Sequence, residues 1–254
     1  KDLTLDDLRK EGYKAFFLGI GAHRDVKMGI EGENVTGVIP GVEFLRDINT
    51  GKRPDIGKKV LVIGGGNVAM DVCRSAVRLG CDATVVYRRS EQEMPASTWE
   101  VAHAKEEGVR FEFLAAPVEV VSADCADGRK VKGLKCIRNK LAAPDAGGRR
   151  RPVPIEGSGF ELGADTLIPA IGQAIDMDLI SGAGEISFTK KGTIQCDQKK
   201  MTTGASDIFA GGDAVSGPAT VIEAIAAGNR AAISIRNFLE GTAVPVEPFL
   251  LPET

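Results

Sequence analysis

Two short clusters carry the residue types with the clearest chemistry. Gly64-Gly65-Gly66-Asn67-Val68-Ala69 fits the pattern G-x-G-x-x-A, following an apolar run and opening a segment of helical periodicity. In that setting the first glycine permits a tight turn and the second lets a pyrophosphate approach the backbone. The N–H groups at the helix start then receive the negative charge, and the small Ala69 keeps helix and strand close. The pattern points to dinucleotide binding, with a plain structural turn as the alternative. A site that reads a ribose 2′-hydroxyl places Asp or Glu about 20 residues further on. This chain has Arg88 and Arg89 there. Paired guanidiniums offer charge-assisted hydrogen bonds to a 2′-phosphate, so the spacing favours NADP over NAD; two solvated surface arginines are the alternative.

Asp213, in Ala210-Gly211-Gly212-Asp213-Ala214, is the third candidate. A carboxylate at the end of a strand, beside glycines, can accept hydrogen bonds from a sugar or ribityl hydroxyl, or simply close a turn. A helix beginning near Ala219 and Thr220 would turn its positive end toward a reduced flavin ring. Other candidates are weaker. Glu91 and Glu93 read as solvated, Arg149, Arg150 and Arg151 read as a solvated loop sooner than an anion site, and Asp71 reads as a capping or packing residue. No nucleophile–base pair is defensible around His23 or His103. Neither Tyr13 nor Tyr87 has a lysine four residues later, which argues against a dehydrogenase acting directly on an organic substrate.

Positioning these groups takes a βαβ unit. Residues 60–63 form a short, continuously apolar strand. Val68, Val72, Ala76 and Leu79 recur at helical spacing until Gly80 stops the helix, and residues 83–87 form the next strand. Beyond it, residues 98–107 read as a helix closed by Gly108 and 111–113 as a strand. Residues 117–123 and 130–138 read as an antiparallel hairpin, turning at Asp127-Gly128 and capping the parallel sheet. Residues 143–159, rich in Pro, Gly and Arg, read as an exposed loop, and 166–171 as a further strand ending at Gly172.

The two flanks match in outline. Thr4 with Asp7 caps a helix that leads into a strand at 15–18 and the turn Gly19-Ile20-Gly21. Residues 207–210 form a strand entering Gly211-Gly212-Asp213. A helix then spans 219–239, with Val221, Ile225, Ala232, Ile235 and Leu239 on one face. The flanks read as two parts of one domain interrupted by the central one.

Composition sets the outer bounds. The 254 residues suggest one large domain or two small ones. A formal charge of −3, from 32 basic and 35 acidic residues, argues against a bulk electrostatic grip on nucleic acid or membrane. Hydrophobic content of 43% with 26% charged residues is that of a globular chain. No run approaches the roughly 18 apolar residues of a membrane helix. Cys73, Cys81, Cys125, Cys136 and Cys196 are scattered, with no metal-site or disulfide spacing, as in a reduced cytoplasmic protein. The chain begins at Lys1 without Met and is read as a fragment.

With those motifs in hand, the chain resembles the small subunit of NADPH-dependent glutamate synthase and related two-dinucleotide flavoprotein reductases. The matching stretches are residues 62–71, residues 86–96 with Tyr87-Arg88-Arg89 and Met94-Pro95-Ala96, and residues 104–109. The resemblance implies an α/β architecture, with a Rossmann-like NADPH domain (54–172) inserted in a partial FAD domain (1–53 and 173–254). Gly64, Gly65, Gly66, Asn67, Val68, Arg88 and Arg89 would hold NADP. Ala170, Ile171 and Gly172 would lie where the chain crosses back beside the nucleotide, and Gly212, Asp213 and Thr220 would contact FAD. Hydride would pass from NADPH to flavin and electrons on to an acceptor subunit, such as a glutamate synthase large subunit or an iron–sulfur protein. Neither nucleic acid nor membrane is expected as a partner, and a homodimer is left open. The family's first flavin-binding glycine unit and its cysteine-rich segment are not among these residues, so this chain is expected to bind NADPH and retain little FAD. An isolated NADP-binding module without turnover and a ferredoxin–NADP reductase-type subunit are the alternatives.

Overall fold

In a computed structural model of the chain, residues 3–126, 128–145, 147–180 and 186–243 are described. They form two compact units, one comprising Asp25–Gly172 and the other Lys1–Arg24 with Gln173–Thr254. Both flanks fall in the second of these units. The inner boundary differs from the expected one at residue 53. Residues 25–53 pack with the central unit, because Phe44, with no exposed surface, lies in that unit's core.

The outer unit opens with helix α1 (Leu5–Lys10), which carries the expected box between Thr4 and Asp7. Strand β1 (Phe16–Leu18) runs parallel to a strand from the far end of the chain, Ile208–Ala210. Arg9 of α1 reaches Asp207, in the turn just before that second strand, donating to both carboxylate oxygens at 2.7 and 3.0 Å. Phe16, Leu18, Ile194, Ile208 and Ala214 form the small core. The two-residue strands β2 (Arg24–Asp25) and β10 (Gln173–Ala174) mark the points where the chain passes between units.

The central unit has helix α2 (Gly41–Asn49) and a four-stranded parallel sheet. Its strands are β3 (Lys59–Ile63), β4 (Asp82–Tyr87), β5 (Arg110–Phe113) and β9 (Thr166–Pro169), in the order β5-β4-β3-β9. Helix α3 (Asn67–Arg78) joins β3 to β4, and α4 (Thr98–Glu106) leads to β5. Alternation along each strand feeds two cores. Val60, Val62, Val85 and Ile168 face the helices with Met70, Val72 and Ala104. Leu61, Ile63, Val86 and Leu167 face a three-stranded antiparallel sheet, contacting Val120, Leu134 and Cys136. A strand buried on both faces needs no polar alternation, which is why β3 reads as one apolar run.

That antiparallel sheet is β6 (Ala115–Cys125), β7 (Gly128–Pro144) and β8 (Arg150–Gly163). The hairpin and its capping role are as expected, although Asp127 of its turn lies outside the described residues. The loop expected over 143–159 is a correction: most of it is β8, pairing Asn139 with Pro154 and Leu141 with Pro152. Proline donates no ladder bond and is tolerated only at a sheet edge, and β8 is an edge strand, so its composition resembles that of a loop.

Strand β11 (Ile208–Ala210) leads to the short helix α5 (Asp213–Ser216) and then α6 (Val221–Glu240). The apolar face anticipated for α6 is not the buried one. Val221 is 75% exposed, Ile225 and Leu239 are exposed, and the helix packs through Ala227, Ala231 and Ser234. Small side chains allow close approach, so periodicity of large apolar residues pointed to the wrong flank.

Candidate functional site

The site is built where the strand order changes direction. From β3 the chain proceeds through β4 to β5 on one side and returns as β9 on the other. Ligands of open α/β sheets bind at the carboxyl ends of strands at such a point. Gly64 leaves β3 here at φ 145°. A Cβ on it would lie 2.2 Å from the Ala170 carbonyl oxygen, so the end of β9 closes against the turn. Ala170 also donates its N–H to Ile63 O at 2.7 Å. Ile171 and Gly172 follow, both exposed.

Gly65 is hemmed in by an aromatic ring: a Cβ would sit 2.5 Å from Cε2 of Tyr87, the last residue of β4. Gly66 has open space instead, its nearest potential neighbour being Pro95 at 4.0 Å. It is the N-cap of α3, and no side chain caps that helix. The first-turn N–H groups of Asn67, Val68 and Ala69 therefore keep their donor capacity for an anion. Asn67 uses its Oδ1 to accept from Ser97 N at 3.0 Å, and Ala96 N donates to Gly65 O at 3.1 Å. These bonds draw the Met94–Ser97 segment over the turn. Asp71 sits on the exposed flank of α3; packing around its carboxyl and the neighbouring Glu100 raise its pKa, with Arg74 opposing.

Beyond β4 the two arginines divide. Arg88 is exposed, whereas Arg89 is only 9% exposed and its buried Nε has no hydrogen-bond partner. Neither forms an ion pair among the described residues. Arg89 stands beside the Tyr87 hydroxyl, which donates to Glu93 O at 2.7 Å. Burial pushes the Tyr87 phenol up, while the charges of Arg89, Arg88 and Arg149 oppose that shift. An orphaned guanidinium donor is costly. Together with an uncapped helix start and an open Gly66, it fits a phosphorylated dinucleotide.

Two readings are corrected at this corner. Glu93 is not solvated: its carboxylate accepts from Ser90 N at 3.2 Å, from the Ser90 hydroxyl and from Arg150 Nε at 2.6 Å. These partners hold its pKa below the ordinary value, the Ser90 hydroxyl contributing most. Arg150 is accordingly an anchor and not part of a solvated loop. Glu91 does remain partly exposed, paired with Lys105 at 2.5 Å. Sequence reasoning missed Tyr87, Ser90, Asn139 and Arg150 as parts of this corner. Ser90-x-x-Glu93 was a detectable capping-box pattern; the others are joined to it only by the fold.

In the outer unit, Gly212 sits at φ 65° and starts α5. Asp213 Oδ1 accepts from Ala219 N at 3.2 Å, so this carboxylate closes the turn. Thr220 caps α6, exchanging hydrogen bonds with Glu223. All five cysteines are unpaired. Burial pushes the Cys73 and Cys136 thiols up to about 12 and Cys196 to about 11.

Fold and turn together define the two-dinucleotide-binding-domain α/β class. Residues 1–228 match the family described as pyridine nucleotide-disulphide oxidoreductase, and the chain belongs to that family. Proteins of that family bind FAD and NADPH, the two cofactors that the resemblance implies for the complete protein. The chain is 47% identical to "NADP(+)-dependent formate dehydrogenase subunit beta" of Moorella thermoacetica, over 96% of its length and 34% of that protein. It is 37% identical to "Glutamate synthase [NADPH] small chain" of Escherichia coli strain K12, over 94% of its length and 53% of that protein. The chain thus spans between a third and about half of these curated relatives. Among solved structures, Mycobacterium tuberculosis FprA in complex with NADPH superposes with a TM-score of 0.73 at 20% identity, covering 92% of this chain and 66% of FprA. That likeness is one of fold. Among the described residues, no helix is long and apolar enough to cross a membrane.

Proposed function

We propose that this chain is the NADPH-binding part of a cytoplasmic, FAD-dependent oxidoreductase subunit that takes hydride from NADPH and passes electrons to an acceptor subunit. In this reading the α3 N–H groups and Gly66 receive the pyrophosphate, with Gly64, Gly65, Asn67 and Val68 shaping the turn. Arg88 and Arg89 take the 2′-phosphate. Ala170, Ile171 and Gly172 border the nucleotide where β9 ends, and Gly212, Asp213 and Thr220 face the flavin side. A bound flavin would supply the two-electron redox chemistry. The chain's own residues orient the dinucleotide, a task that needs positioning more than acid–base groups. The observation carrying the proposal is the buried, unpartnered Nε of Arg89 beside an uncapped glycine turn.

Both formate dehydrogenase and glutamate synthase appear among the relatives' names. The acceptor is therefore proposed as an iron–sulfur protein or a large synthase subunit. The test is NADPH oxidation with an artificial acceptor, with and without added FAD, alongside titration of NADPH and NADH. Flavin-dependent turnover with preference for NADPH supports the proposal. Nucleotide binding without turnover at any flavin concentration reduces the chain to a binding module, and equal affinity for both nucleotides removes the phosphate site.

A further inference from the structure

The arginine pair is held in place from outside the sheet that bears it. Asn139 of β7, 4% exposed, donates from Nδ2 to Arg88 O at 2.9 Å. Leu114 N donates to Arg89 O at 3.0 Å, and Leu114 O accepts from Asn139 N at 2.7 Å. Leu114 makes these two bonds at φ 54°, a left-handed conformation that a leucine adopts only at a cost. The fold tolerates that strain at the residue that ties both backbones together. The far side of the same turn is fixed by Arg150 of β8, which donates to Glu93 Oε1 at 2.6 Å and to Gln92 Oε1 at 3.3 Å. Glu93 in turn receives Ser90 on its carboxylate and the Tyr87 hydroxyl on its carbonyl. Residues 87–93 are thus clamped at both ends by the antiparallel sheet.

The geometry points to a role for that sheet in choosing the coenzyme: Asn139 and Arg150 are positioning residues that set the aim of the arginine pair at the 2′-phosphate. The inference rests on the proposed reading that Arg88 and Arg89 receive this group. Neither positioning residue needs to touch the nucleotide. Asn139 fixes the main chain from which Arg88 projects. Arg150 fixes the turn behind Tyr87, whose hydroxyl stands beside Arg89. A phosphate held by two forked guanidiniums depends on their angle, whereas an unphosphorylated ribose at the same place does not.

The experiment uses the full chain and four variants, Arg150→Met, Arg150→Lys, Asn139→Ala and Arg88→Ala, with NADP+ and NAD+ titrated separately and unfolding midpoints recorded. Arg150→Met should lower the NADP+ over NAD+ preference by about 1.4- to fivefold, the range set by one partly exposed ion pair. NAD+ affinity should hold, and Arg150→Lys should recover most of the loss. Asn139→Ala should lower the preference in the same sense; should it fail to fold, Arg150, at a sheet edge, carries the test. Unchanged preference in Arg150→Met, or equal weakening of both nucleotides, overturns the inference while Arg88→Ala still abolishes preference. If Arg88→Ala leaves the preference intact, the phosphate reading itself has failed and this inference falls with it.

Discussion

Replacing Arg89 with methionine should separate stability from binding, because the two respond in opposite senses. In the folded chain Arg89 is almost fully buried, its Nε has no partner, and it forms no ion pair among the described residues. Leaving such a donor unmet costs about 1–3 kcal/mol, and the contact beside the Tyr87 hydroxyl returns about 0.5–1.5 kcal/mol. Methionine fills a similar path without the polar atoms. The variant without nucleotide should therefore lie between about 0.5 kcal/mol less stable and about 2.5 kcal/mol more stable than the parent. Binding goes the other way. A lost charged hydrogen bond to phosphate costs about 1.5–3 kcal/mol, or roughly 10- to 150-fold in affinity. The assay is urea unfolding with and without coenzyme. At a thousand times its dissociation constant NADPH protects the parent by about 4.1 kcal/mol; after a hundredfold loss the same concentration protects by about 1.4 kcal/mol. NADH protection should be equal in both proteins. Two results would refute the reasoning: a loss of more than about 2 kcal/mol without nucleotide, or equal loss of protection by both coenzymes.

Gly64→Ala should cost at least about 3 kcal/mol and abolish NADPH binding, because its Cβ would sit 2.2 Å from a backbone oxygen at a left-handed φ; retention of parental melting and affinity would contradict the tight β3–β9 closure. Asp165 accepts from Lys58 N and Lys59 N at 2.8 Å each, and these bonds hold its carboxyl below its ordinary value of 3.8. A depressed folded-state pKa means that its stabilisation is complete above that value and drains away as pH falls further. Asp165→Asn should therefore flatten the acid side of the stability profile, read from urea midpoints between neutral pH and pH about 3. Thiol labelling at neutral pH should reach exposed Cys125 first and leave Cys73 and Cys136 unmodified in the folded chain; rapid labelling of either buried thiol would count against the packing of α3 or β7.

The parts of the fold that could be read directly are those whose signal is local. Val60 to Ile63 followed by three glycines and a 3.6-residue periodicity needs no partner to be understood, and the strand–turn–helix lies within a residue of its expected place. Thr4 with Asp7 likewise announces a helix start by itself. Errors arose where the deciding partner is distant. Pro152 and Pro154 weigh against a strand until the pairing with β7 reveals an edge. Glu93 and Arg150 lie 57 residues apart, and each alone resembles a solvated charge. The large apolar residues of α6 obscured the alanine and serine face that packs. At the site, the glycine turn and the arginines were legible as types and spacing. The burial of Arg89, and the bonds that hold its backbone, belong to the tertiary structure.

The chain carries a single tryptophan, Trp99, placed in α4 two residues after Ser97, whose N–H is bonded to Asn67 at the glycine turn. It is 57% exposed and meets His103 edge-on at 5.6 Å. Reduced nicotinamide absorbs where indole emits, so occupancy of the proposed coenzyme site at this turn can be followed as quenched emission and sensitised nicotinamide fluorescence. The chain thus contains an optical donor for the proposed coenzyme, and no dye is required.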